Sequence, residues 1–284
     1  MAPERPNRRL WTSVLLYAAA FTLPLFVAPF IACVSGWPIN STVTRLMIVF
    51  GVVALLWHIG IPKFGQFDAR RAVRTTFLAM AVTVGVTTLY SAVLILAGAE
   101  SVRPFDAIFK PYRFATALAT GLAVSLVEEP VFRRVLLQKL SMRGSVALGA
   151  VLSSLLYSLV HYLRPAKVPL QADYALADSA AVYQNILENV LRPLSDPAPG
   201  IGLFLLGLFL CAVVRRGGLA WTIGIHAGVV YYVKVDCCVL YWNPVGRHFY
   251  FGSFDVLYDG AMFWIVCSAF LLGMLFHNRS RPQA

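Results

Sequence analysis

The sequence predicts an all-α polytopic membrane protein that forms a single membrane domain over residues 1–284. Hydrophobic residues make up 59% of the chain and charged residues only 13%, a balance that excludes an ordinary soluble protein. The charged residues fall in short clusters between long apolar runs, as expected for loops between membrane-spanning helices. We therefore expect about eight transmembrane helices.

The apolar runs define the predicted spans. A helix needs roughly 20 residues to cross about 30 Å of hydrocarbon. Runs near this length cover residues 10–34, 43–62, 74–98, 113–135, 145–164, 199–215, 218–236 and 257–277. The first run follows three arginines and is too long for the apolar core of a signal peptide, so we expect it to remain as a span.

Basic residues predict the orientation of these spans and exclude nucleic acid as a partner. The formal net charge is +11, but the Lys and Arg residues lie in loop clusters and not on one continuous surface. With the N-terminus inside, 15 of the 24 basic residues face the cytoplasm. This predicts a multi-pass protein of the cell membrane with both termini cytoplasmic, whose surroundings are the lipid bilayer.

A polar connection after the fifth span contains one further predicted helix. Val182, Ile186 and Val190 recur at helical spacing within residues 179–191. We expect an amphipathic helix that lies on the membrane surface.

Two adjacent carboxylates, Glu128 and Glu129, lie at the inner end of the fourth apolar run. Acidic residues are costly to place in a bilayer and usually mark a function. Glu129 and Arg133 are four residues apart and can pair on one helical face, whereas Glu128 lies about 100° away from that face and outside this pair. Pro130 should loosen the helix beside them. The alternative is a purely structural ion pair at a kink, but that would not explain why a second acid, Glu128, lies beside the pair.

Two histidines on later spans complete a candidate catalytic group. His161 ends the fifth span and His226 lies in the seventh. A glutamate and two histidines can deprotonate water and stabilise an oxyanion without a covalent intermediate. Either histidine alone would be interpreted as a packing residue between helices. The same three side chains could instead hold zinc, with water in the fourth position.

These residues resemble the ordered motifs of a known family. Glu128-Glu129-x-x-x-Arg133, then Tyr157-x-x-x-His161, then His226 are similar to the CAAX protease and bacteriocin-processing family, which includes the type II CAAX prenyl endopeptidases and their bacterial Abi relatives. The resemblance covers roughly residues 113–235, the predicted catalytic core. It implies that Glu128 activates water, that His161 helps to position or polarise it, and that His226 stabilises the oxyanion. Glu129 and Arg133 would form a structural ion pair.

Two positions in the predicted pocket depart from the family pattern. Tyr157 stands where the family commonly has Phe, which adds a hydroxyl to the face of His161. Val230 stands four residues after His226, where many members have Asn. Loss of one oxyanion donor can reduce a rate by about 10²–10³.

The resemblance implies an intramembrane glutamic-type endopeptidase that uses no metal or other cofactor. Its substrate would be a membrane-embedded or lipid-anchored peptide or protein tail. A zinc-dependent intramembrane protease is one alternative. A non-catalytic membrane scaffold or immunity protein of the same fold is another, and Val230 favours it. Proton-coupled transport is a weaker alternative, because the polar residues form one cluster and no path across the membrane.

Overall fold

The structure is a computed structural model, and it describes residues 8–59, 68–104, 110–142, 144–163, 175–192, 196–242 and 260–279. Its helices and strands, in chain order, are α1 Arg8–Ser35, α2 Ile39–Ile59, α3 Ala69–Leu96, β1 Glu100–Val102, α4 Pro111–Glu129, a π-helix Pro130–Leu136, α5 Leu137–Met142, α6 Val146–His161, α7 Leu176–Leu191, α8 Ala198–Gly217, α9 Leu219–Val239, β2 Leu240–Trp242 and α10 Ala261–Arg279.

The helical architecture is as predicted, apart from two short strands, but the number of spans is not established. Within the described residues, five helical stretches are long and apolar enough to cross a membrane: Leu15–Ser35, Ala69–Leu96, Pro111–Met142, Ala198–Gly217 and Leu219–Val239. Shorter apolar helices occupy three other predicted spans, at Ile39–Ala54, Val146–His161 and Ala261–Gly273. An all-α membrane protein fits these observations, and the total of eight spans stays a prediction.

The chain divides into two compact units, so the single domain over residues 1–284 stays a prediction. The first unit comprises Met1–Lys63 and Leu159–Ser195, and the second comprises Phe64–Ser158 and Asp196–Ala284. The helix α7 of the first unit is the one predicted from its amphipathic spacing. Its buried Val182 and Ile186 join an apolar cluster with residues of α1 and α2. These two side chains are therefore covered by protein, and the location of α7 on the membrane surface stays a prediction.

In the second unit, α9 packs against α3, α4 and α8. Small residues allow the close approach. A Cβ added at Gly121 of α4 would lie 2.7 Å from the carbonyl oxygen of Ala227 in α9. One added at Gly228 of α9 would lie 2.7 Å from Thr83 Cβ in α3. Because backbone and side chains meet this closely on two sides of α9, the position of His226 on that helix is tightly constrained.

The π-helix follows the two adjacent acids directly. Pro130 has no backbone N–H to donate to the carbonyl four residues earlier, which explains why the regular α-helical pattern breaks at this point. The Phe132 carbonyl accepts from the N–H of Leu137, five residues on, and also from Ser153 Oγ of α6 at 2.9 Å. The loosening predicted from Pro130 is thus present as a wide π-turn that also anchors α6.

Two short strands pair at the C-terminal end of α9, and the sequence analysis predicted no strand there. β1 and β2 are antiparallel, with Glu100 opposite Trp242. Arg103 fastens the pair, because its Nε donates to the Leu240 carbonyl at 2.8 Å and its guanidinium lies 4.1 Å from the Tyr241 ring centroid.

Glu100 is a buried acid in this strand pair, and it predicts a pH-dependent stability. Burial, together with the nearby Asp236 carboxylate, raises the pKa of Glu100 from its ordinary 4.5 to about 8. Between these values the unfolded chain binds fewer protons than the folded one, so stability falls as pH rises through that window. We expect Glu100→Gln to flatten this fall, measured as melting temperature in detergent at about pH 5 and about pH 8.

Glu188→Gln provides the matched control, since Glu188 is an exposed acid on α7. This variant should keep the pH dependence of the wild type. An equally steep fall in melting temperature in Glu100→Gln and wild type would show that Glu100 does not cause it.

Candidate active site

The ion pair of Glu129 and Arg133 forms the base of the candidate site. Glu129 is the last residue of α4 and Arg133 lies one turn on, in the π-helix. Arg133 Nε donates to Glu129 Oε2 at 3.2 Å, and both side chains are completely buried. The Arg133 guanidinium also lies 4.9 Å from the Tyr157 ring centroid and donates from Nη1 to Cys211 Sγ at 3.5 Å. The contact expected from the spacing of four residues is therefore present, with two neighbours that the spacing could not indicate.

His226 lies between the two adjacent glutamates. Its Nδ1 is 2.9 Å from Glu129 Oε1, and its Nε2 is 3.9 Å from Glu128 Oε2. Because Glu129 is paired with Arg133 and accepts hydrogen bonds, the Nδ1 position carries the proton of the neutral ring. Nε2 is the other ring nitrogen, and it faces Glu128.

The two glutamates differ in exposure, and this difference separates their roles. The Glu128 side chain is 25% exposed, whereas that of Glu129 is 0% exposed. The exposed part of the Glu128 side chain can meet water and a substrate, although Oε2, the oxygen that faces His226, is itself buried. The Glu129 side chain is fully buried and bonded to Arg133 and His226, so it cannot. The geometry therefore separates an acid available for chemistry from an acid that orients its neighbours, although the two are adjacent in the chain.

Tyr157 also reaches the site, from α6. Its hydroxyl lies 3.4 Å from His226 Nε2, and the two rings meet edge to face with centroids 5.9 Å apart. Val230 lies one turn after His226 on α9 and is partly buried. It offers no hydrogen-bonding group to the site.

His161 is the last residue of α6, four residues after Tyr157, and it belongs to the first compact unit. The structure brings Glu128, Glu129, Arg133, Tyr157 and His226 together within the second unit. The predicted role of His161 beside Glu128 stays a prediction.

Residue patterns missed two contributors to the site. The bond from His226 to Glu129 joins residues 97 positions apart, and no local spacing could indicate it. Cys211 is the second contributor: its thiol contacts Arg133 and lies 3.7 Å from Ser154 Oγ. The position of Cys211 one turn before the basic pair Arg215-Arg216 gave no signal of this contact.

A zinc site would need three protein ligands close together, with water in the fourth position. Within the ranges that the structure describes, no group of three or more His, Cys, Asp or Glu side chains has an arrangement that could hold a metal ion. The absence of a metal or other cofactor from the reaction stays a prediction.

Comparison with known families addresses the resemblance directly. Residues 110–232 match the Rce1-like family, described as type II CAAX prenyl endopeptidase Rce1-like. The resemblance to the CAAX proteases is confirmed. The matched stretch begins just before α4 and ends within α9, so it contains every residue placed in the site above. No curated protein and no solved structure matches the chain at a significant level. At the level of the family, the match supports an intramembrane CAAX-type protease, and the apolar helices agree with a membrane protein.

Proposed function

We propose that this protein is an intramembrane endopeptidase that hydrolyses a membrane-embedded or lipid-anchored peptide tail with water activated by Glu128. The observation that carries the proposal is the arrangement of His226, whose Nδ1 bonds to Glu129 while its Nε2 faces Glu128. The family match supplies the class of reaction, because its members are described as CAAX prenyl endopeptidases. A prenylated peptide is therefore the first substrate to test.

The chemistry uses Glu128 as a general base and later as a general acid. Glu128 accepts a proton from water as the water oxygen bonds to the scissile carbonyl carbon. His226 in its protonated form donates from Nε2 to the resulting oxyanion, and Glu129 stabilises its positive charge through Nδ1. As the C–N bond breaks, Glu128 delivers its proton to the leaving amine nitrogen. His161 assists by positioning the water. We further propose the cell membrane as the location, with both termini cytoplasmic.

Burial of Glu129, Arg133 and His226 supports this mechanism. Each of the three is at most 3% exposed. In such surroundings the electrostatic stabilisation of a developing negative charge is far larger than in water. The partly exposed Glu128 side chain is where the buried group meets water and substrate.

Metal removal tests the glutamic mechanism against the zinc-dependent alternative. We expect purified protein to contain far less than one zinc per chain, and cleavage of a prenylated peptide to survive prolonged exposure to a zinc-selective chelator. Zinc bound at one per chain, and lost together with activity in His161→Ala, would instead establish a metal site.

A non-catalytic scaffold or immunity protein of the same fold is a second candidate, favoured by one observation. Val230, beside His226, supplies no hydrogen bond to an oxyanion. A folded wild-type protein that leaves prenylated and unmodified membrane peptides intact would favour this candidate over the peptidase.

A further inference from the structure

Tyr157 is held rigidly against the site by its ring. The side chain is 1% exposed, and the Phe132 ring meets it edge to face with centroids 5.3 Å apart. The Arg133 guanidinium covers the ring at 4.9 Å from its centroid. These contacts fix the plane of the ring and therefore the position of the hydroxyl oxygen.

That position is beside the reacting atoms of the proposed hydrolysis. The hydroxyl oxygen lies 3.4 Å from His226 Nε2, which is itself 3.9 Å from Glu128 Oε2. The other ring nitrogen of His226 bonds to Glu129. Tyr157 and Glu128 therefore approach the same nitrogen, and a substrate oxygen that reaches this nitrogen also comes close to the tyrosine hydroxyl.

We propose that the Tyr157 hydroxyl is the second hydrogen-bond donor to the oxyanion, a role that rests on the proposed peptidase function. In the protonated form of His226 used in the proposed hydrolysis, Nε2–H is a donor and accepts no bond from the tyrosine hydroxyl 3.4 Å away, so the Tyr157 O–H can point at the substrate oxygen. Nε2–H and the Tyr157 O–H then both donate to the oxyanion, and neither hydrogen is transferred.

The presence of valine at position 230 increases the expected contribution of the Tyr157 hydroxyl to oxyanion stabilisation. The residue one turn after His226 lies on the same face of α9 as His226, and the valine at this position cannot donate a hydrogen bond. One donor from His226 alone would leave much of the developing charge on the oxyanion unsatisfied. A hydroxyl supplied from α6 replaces a donor that α9 lacks.

Tyr157→Phe tests the proposal, because it removes the hydroxyl and keeps the ring that packs on Phe132 and Arg133. We expect kcat on a prenylated peptide to fall by about 10²-fold or more with KM nearly unchanged, as for loss of an interaction made in the transition state. Tyr232→Phe is the matched control. It removes another buried hydroxyl of the second unit, bonded to Ser91 at 2.7 Å, and should leave kcat unchanged.

A double variant distinguishes a donor from a packing role. Val230→Asn places an amide donor beside His226, so it should raise kcat at most slightly in the wild type. In the Tyr157→Phe background it should raise kcat at least tenfold above that of Tyr157→Phe alone. A Tyr157→Phe enzyme within about twofold of wild-type kcat would overturn the proposal. So would a large loss that Val230→Asn does not reverse at all.

A measurement independent of cleavage separates this inference from the proposed function. The ¹⁵N signal of His226 Nε2, followed through a pH titration in detergent, should change in Tyr157→Phe and stay as in wild type in Tyr232→Phe. An unchanged signal in Tyr157→Phe would contradict the inference whether or not the protein cleaves peptides. A changed signal in a protein that cleaves nothing would count against the peptidase function, and with it against the oxyanion role.

Discussion

Glu128→Gln should abolish peptide cleavage while leaving the amount of folded protein nearly unchanged. The amide keeps the shape of the side chain but cannot accept the proton of the attacking water, and loss of a general base reduces rates by about 10²–10⁴. Glu128 is partly exposed, so its replacement by a neutral side chain leaves the buried ion pair of Glu129 and Arg133 intact. The measurement is the initial rate of cleavage per folded molecule, with folding assessed by gel filtration in detergent.

Glu188→Gln is the control for this variant too, since it makes the same chemical change at an exposed acid of the first unit. It should cleave at the wild-type rate. Full activity of Glu128→Gln on the same peptide would show that another group activates the water.

Arg133→Ala and Glu129→Ala should have the opposite effect and reduce the yield of folded protein. Each leaves one fully buried charge without its partner, a loss of about 3–5 kcal/mol that is comparable to the whole stability of many domains. Glu129→Ala also removes the acceptor that holds His226 Nδ1. We expect lower melting temperatures and less monodisperse protein in detergent for both variants.

Arg134→Ala is the matched control for Arg133→Ala, because the neighbouring arginine is exposed. It should purify like the wild type. If Arg133→Ala were as stable as Arg134→Ala, the buried pair would contribute nothing to folding, and its purpose would lie in orienting His226 alone.

The parts of the site that could be predicted from sequence are those fixed by local geometry. Glu129 and Arg133 are one turn apart, so a helix brings them together whatever surrounds them. Pro130 lacks a backbone donor, so the helix had to loosen beside them, and the structure has a π-turn there. The helices themselves followed from apolar length, since a long apolar run has few other stable arrangements.

Contacts between distant segments could not be predicted in this way. The distance from His226 to Glu129 depends on how closely α9 packs against α4, and hence on where Gly121 falls on the facing surface. The pairing of β1 with β2 depends on segments 140 residues apart in the chain. The stripe formed by Val182 and Ile186 is apolar whether it meets lipid or protein, and periodicity alone does not distinguish the two. These features needed the tertiary arrangement.

The measurement that tests the central claim most directly is mass spectrometry of a prenylated peptide after incubation with the protein in liposomes made with H₂¹⁸O. The proposed mechanism predicts that the wild type releases a fragment whose new terminal carboxylate carries ¹⁸O, with no covalent peptide adduct on the protein. It also predicts that Glu128→Gln and His226→Ala, shown to be folded, release none. A folded wild-type protein that leaves the peptide intact, or a Glu128→Gln variant that produces the same labelled fragment at the same rate, would contradict the claim that Glu128 activates water for intramembrane hydrolysis.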